Sequence, residues 1–130
     1  MIDHMSLVVS DYEKSKAFYL AALEPLGYEL VMELSRKEIP NLPFDKGCGL
    51  GAHGKPDLWL HPGASVVPTH IAFRAATRDL VRDFHEAALA AGARDNGPPG
   101  LREHYHPNYF GAFVLDPDGY NIEAVCHDPE

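Results

Sequence analysis

Residues 69–75, Thr-His-Ile-Ala-Phe-Arg-Ala, alternate side chains as a half-buried strand does, with His70, Ala72 and Arg74 on one side and Ile71 and Phe73 on the other. Residues 4–9, His-Met-Ser-Leu-Val-Val, repeat the pattern 66 positions earlier, with Met5, Leu7 and Val9 on one side and His4, Ser6 and Val8 on the other. The same offset relates Phe18 to Phe84 and Leu23 to Leu89. An internal repeat in which a histidine opens each strand makes the chain two copies of one supersecondary unit.

Working outward, Ser10 and Glu13 form a possible capping box for a helix that runs to about Leu23, with Ala17, Phe18, Ala21 and Ala22 on its apolar stripe. Pro25 and Gly27 end it. Strands are expected over residues 28–32, 48–52 and 57–61, with residues 35–47 a loop or covering flap. In the second copy Thr77 caps a helix carrying Val81, Phe84, Ala88 and Ala91, which stops at Gly92. Residues 95–108, rich in Gly, Pro, Asn and His, read as a long loop. A strand over 110–115, the turn Asp116-Pro117-Asp118-Gly119 and a strand over 120–125 complete the copy. The predicted fold class is α+β: two βαβββ modules, about 1–62 and 67–127 of one domain, with curved mixed sheets around a cavity and helices outside.

Composition sets the bounds. An apolar fraction of 45% in 130 residues predicts a real core. Eleven basic against nineteen acidic residues, net charge −8, argue against nucleic acid and against an anionic membrane, both of which need a basic surface. Cys48 and Cys126 are too few for a disulfide framework, and the N-terminus lacks a basic region followed by an apolar run; a cytoplasmic home is the expectation. The charge says little about a small metabolite, which sees only its local pocket, and a small-molecule substrate is the expected partner.

Glu123 lies between the outward apolar residues Ile122 and Ala124, so it faces inward with His4 and His70. A buried carboxylate needs a partner. One divalent cation bound by His4, His70 and Glu123 satisfies all three; two imidazoles and a carboxylate suit Fe, Mn, Ni, Co or Zn. Around this centre, Ser6, Trp59 and Arg74 are pocket candidates by parity. The cluster 102–109 supplies His104 or His106 as an acid–base catalyst beside Glu123, with Tyr105 and Tyr109 near the rim.

The stretches Asp3–Asp11, Lys14–Tyr19, Thr69–Phe73 and Phe113–Glu123 together resemble the vicinal oxygen chelate superfamily, which spans glyoxalases, bleomycin-resistance proteins and extradiol dioxygenases. The resemblance covers nearly the whole chain. It implies first-strand ligands His4 and His70, last-strand ligand Glu123, and a homodimer whose halves pair within or between chains. It also places Trp59 where glyoxalase I has a carboxylate ligand, a departure from the four-ligand pattern. The implied activity is a metal-dependent glyoxalase-like lyase or isomerase on a small oxygen-chelating metabolite; extradiol-type dioxygenation and non-catalytic drug binding are the alternatives.

Overall fold

A computed structural model describes all 130 residues, Met1–Glu130. Its two halves follow one plan. The first consists of β1 (Met5–Val9), α1 (Tyr12–Ala22), a 3-10 turn at Glu24–Leu26, β2 (Glu29–Ser35), β3 (Lys46–Gly51) and β4 (Leu58–Pro62). The second is β5 (His70–Arg74), α2 (Arg78–Ala90), β6 (Arg94–Leu101), β7 (Phe110–Leu115) and β8 (Asn121–Cys126). Each half forms its own four-stranded mixed sheet, ordered β1-β4-β3-β2 and β5-β8-β7-β6. The βαβββ architecture therefore matches the reading of the sequence. No helix is long and apolar enough to cross a membrane.

The parallel pairs β1–β4 and β5–β8 sit in equivalent places. Register fixes the correspondence: Ser6 lies opposite Trp59, and Ala72 opposite Glu123. Trp59 is thus the first-module counterpart of Glu123. Both first strands, β1 and β5, end their sheets with one edge unpaired.

Each helix covers one sheet face. Val81, Phe84 and Ala88 of α2, spaced three and four apart, are fully buried against β6, β7 and β8. Helix α1 lies on β3 and β4 and also touches α2, so one core of 24 residues joins the two modules. The opposite faces stay open: His4, Ser6, His70, Ala72 and Arg74 are all exposed.

Three expectations need correction. Ser10 does not cap α1; Asp11 does, accepting from the Lys14 N–H at 3.2 Å. Ser10 instead binds Asp118 of the other module through its N–H (3.1 Å) and its hydroxyl. The first half of the predicted loop 95–108 belongs to β6, which runs through Gly97-Pro98-Pro99-Gly100. Prolines survive there because β6 is an edge strand with bulged pairing to β7, where missing N–H donors cost little. The presumed flap ends where β3 begins at Lys46.

A carboxylate clasps the modules together. Asp116, 3% exposed, accepts the Tyr19 hydroxyl of α1 on one oxygen and the N–H groups of Asp118 and Tyr120, each at 2.8 Å, on the other. Tyr120 then donates its hydroxyl to the Val8 carbonyl at 2.6 Å. The turn Asp116–Gly119, expected from the sequence as a tight turn between strands, is also a joint between the halves.

Candidate metal and ligand site

The second module brings two candidate ligands together. β5 and β8 run parallel with His70 opposite Asn121 and Ala72 opposite Glu123, so His70 and Glu123 share the open face. His70 Nε2 lies 3.1 Å from Glu123 Oε1. Glu123 is 1% exposed, while the His70 side chain is 48% exposed, so the pair opens to solvent only on the imidazole side.

The tautomer of His70 follows from its other nitrogen. Nδ1 is 3.0 Å from the Asn121 backbone carbonyl, which can only accept, so Nδ1 carries the hydrogen. In the neutral ring Nε2 then bears a lone pair aimed at a carboxylate oxygen. Two acceptors cannot face each other at this distance unless a proton or a cation lies between them.

His4 has the same arrangement. Its Nδ1 is 2.7 Å from Asp3 Oδ1, an acceptor, and Nε2 is left free. The contact with His4 and then the Lys55 ammonium, 3.1 Å away, hold the Asp3 carboxyl below the usual carboxylate range. Metal-binding histidines characteristically give their second nitrogen to a carboxylate or a backbone carbonyl. Both outer partners, Asp3 and the Asn121 carbonyl, escaped the sequence reading; the adjacent pair Asp3-His4 was the available signal for the first.

The third ligand does not join the other two. No group of three His, Cys, Asp or Glu side chains within the chain lies close enough to share an ion. Of the three candidates His4, His70 and Glu123, expected to converge within one chain or across two, His70 and Glu123 meet within the chain and His4 does not join them there. His4 lines a separate recess of about 200 Å3 with Ser6, Leu34, Phe44, Trp59 and His61. The cause is the layout of the halves: the modules are clasped through Asp116 and their helices, and the two ligand-bearing faces are left open rather than closed on each other.

The remaining candidates divide between these places. Trp59 is half-buried with its ring over Gly49; a Cβ there would stand 3.0 Å from two ring carbons. Ser6 is beside it. Arg74 forms no ion pair and borders a cleft of about 480 Å3 between β5 and the N-terminal segment, with Ile2, Asp3, Tyr28 and Asp57 among its other walls.

In the 102–109 segment, Tyr109 reaches the centre and the two histidines do not. The Tyr109 hydroxyl donates to Glu123 Oε2, and burial followed by this bond pushes the phenol well above its usual range. His106 Nδ1 accepts the Asn108 N–H at 3.1 Å. His104 lies against the exposed Tyr105, with ring centroids 4.2 Å apart and the planes tilted by 50°. Neither histidine hydrogen-bonds His70 or Glu123. His127, which the sequence reading passed over, adds its ring to the cluster 5.0 Å from His106 and 5.3 Å from Tyr109.

Ligands on neighbouring positions of one ion, each bonded at about 2.0–2.2 Å, lie about 3 Å apart. The 3.1 Å separation of His70 Nε2 and Glu123 Oε1 has that spacing. The pair fits two sites on a divalent ion.

The fold is a duplicated βαβββ unit with an imidazole just before or at the start of each first strand and a carboxylate on the last strand of the second. The chain belongs to the glyoxalase/bleomycin resistance protein/dioxygenase superfamily, whose family model matches residues 1–124. An uncharacterized Bacillus subtilis protein, YwkD, is 30% identical over 97 residues, covering 68% of this chain and 72% of its own length. A glyoxalase/bleomycin resistance protein from Albidiferax ferrireducens superposes with a TM-score of 0.71 at 24% identity, over 97% of this chain and 98% of that one. The fosfomycin resistance protein of Listeria monocytogenes, solved with Mn(II) and a dihydroxypropylphosphonic acid, has a TM-score of 0.68 at 20% identity, over 96% and 88% of the two chains. At these identities both structural likenesses concern the fold.

Proposed function

We propose that this protein is a metal-dependent enzyme of glyoxalase-like lyase or isomerase type, acting on a small metabolite with neighbouring oxygen atoms. His70 and Glu123 supply two ligands to one divalent ion of the Fe, Mn, Ni, Co or Zn kind. The third is His4 of a second copy, so the working unit is a homodimer with sites built across chains. The observation that carries this reading is the shared state of the two histidines. Each has Nδ1 beside an acceptor and turns Nε2 away from it, and one of these Nε2 atoms already faces a buried carboxylate at 3.1 Å.

The ion would act as a Lewis acid that polarises a bound carbonyl or hydroxyl oxygen. The chain's own groups do the rest. Asp3 and the Asn121 carbonyl orient the imidazoles. Glu123 would give one oxygen to the ion while its other accepts from Tyr109. Trp59 and Ser6 in the His4 recess would form the wall facing the second module of the partner copy. Arg74, unpaired on the same sheet face as His70, suits an anionic end of the metabolite.

A second reading is small-molecule binding without chemistry. It is favoured by one observation: a single chain brings only two metal ligands together. Titration of chelator-treated protein with Co(II) separates the two. The enzyme reading expects about one ion per chain and a loss of more than about 100-fold in affinity for His70→Ala, beyond the 10–100-fold typical of outer partners. No bound ion in the unaltered protein would overturn it in favour of the binding reading.

A further inference from the structure

We propose that Tyr109 is a positioning residue that makes Glu123 a one-oxygen ligand, and that Gly111 is there to let it do so. This rests on the metal reading of His70 and Glu123.

A glutamate carboxylate turns easily about its last bond and can offer one oxygen or both. In this chain that freedom is gone. The Tyr109 hydroxyl occupies Oε2, and Oε1 alone faces His70 Nε2. Tyr109 is itself held at several points. Its N–H donates to the His106 carbonyl at 3.1 Å, and its carbonyl accepts the Arg102 N–H at 2.7 Å. Its ring meets those of Tyr105 and His127 edge-on, at 4.9 and 5.3 Å.

Gly111 lies on β7 beneath this contact. A Cβ at that position would stand 3.1 Å from Glu123 Oε2 and 3.2 Å from Tyr109 Cε1, tighter than ordinary packing on both partners at once. Its backbone needs no left-handed conformation, so close approach is the reason for glycine. Residues 109, 111 and 123 therefore form one device that presents a single carboxylate oxygen beside an imidazole nitrogen. A single-oxygen carboxylate suits ions bound at about 2.0–2.2 Å with few ligands. It disfavours Ca2+, which takes six to eight oxygens at about 2.3–2.6 Å and often both oxygens of one carboxylate.

The test compares Tyr109→Phe and Gly111→Ala with the unaltered dimer, using Co(II) and Ca(II) as probes. Co(II) affinity and its visible d–d spectrum are both recorded. Tyr109→Phe is expected to weaken Co(II) binding about 10–100-fold, the range for loss of an outer partner, to alter the d–d bands, and to narrow the preference over Ca(II). Gly111→Ala keeps the hydroxyl but displaces it, and should shift the spectrum the same way. Co(II) bound by both variants with unchanged affinity and spectrum would overturn the role of Tyr109 while leaving the metal centre in place. An unaltered protein that takes up no Co(II) would overturn both.

Discussion

Glu123→Gln is expected to lose divalent-ion affinity about 100-fold or more while leaving the metal-free protein at least as stable as before. The amide has nearly the shape of the carboxylate. Its oxygen still accepts from Tyr109, and its NH2 can donate to His70 Nε2, now 3.1 Å from Oε1. The substitution thus removes a buried charge and gives His70 Nε2 a donor that needs no added proton or ion. It also removes the anionic oxygen that the proposed ion would bind. Saturating Co(II), at about 100 times its dissociation constant, should stabilise the unaltered protein by about 2.7 kcal/mol, a rise in melting temperature of roughly 10 °C. Glu123→Gln should show no such rise. Thermal melts with and without the ion measure both halves of the prediction; a Glu123→Gln protein still stabilised by Co(II) would remove Glu123 from the ligand set.

The second large effect concerns stability. Asp116→Ala should cost about 3–5 kcal/mol, because it leaves the buried Tyr19 hydroxyl and the N–H groups of Asp118 and Tyr120 without acceptors and frees α1 from the β7–β8 turn. Asp116→Asn should stay within about 1 kcal/mol of the parent, since its oxygen still serves the two N–H groups. Burial, outweighing the Tyr19 and backbone hydrogen bonds, raises the Asp116 carboxyl above its ordinary value. The folded chain therefore takes up this proton at a higher pH than the unfolded chain. Its contribution to stability is present below the unfolded value and falls as pH rises through the folded one. The protonated acid resembles asparagine, so melts of the parent and Asp116→Asn should converge as the pH is lowered. Denaturant melts of both variants check the order; an Asp116→Ala protein as stable as the parent would mean the clasp does not hold the modules together.

Most of the fold was legible because its determinants are local and periodic. Alternation marked β1 and β5, helical spacing marked α2, and the 66-residue offset exposed the duplication before any coordinates. β6 was missed because Gly97-Pro98-Pro99-Gly100 carries every sign of a loop. Only the edge position and the bulged pairing to β7, which are tertiary facts, let it serve as a strand. The cap at Asp11 was missed because Ser10 and Asp11 are both good caps, and Ser10 has a distant partner in Asp118.

The candidate site was legible in part. Parity put Glu123 on the face of His70, and the two do meet. Parity could not say which open face closes on which, so whether His4 meets them within one chain or across two stayed open. Which of His104, His106 and Tyr109 reaches Glu123 depends on how residues 102–109 turn back onto β7, and the residue types alone do not encode that. Gly111 left no trace in the sequence because the reason for it is a single close approach.

The exchanged assembly is tested most directly by mixing two inactive chains. His4→Ala and His70→Ala each lack a ligand in every site of their own homodimers. If His4 serves the His70 and Glu123 of its neighbour, each mixed dimer regains one intact site. Random reassortment then restores about one quarter of the unaltered Co(II) capacity. Recovery near that level is the predicted result. Mixed chains that bind no more Co(II) than the separate variants, or a His4→Ala homodimer that binds it as tightly as the parent, would contradict the account.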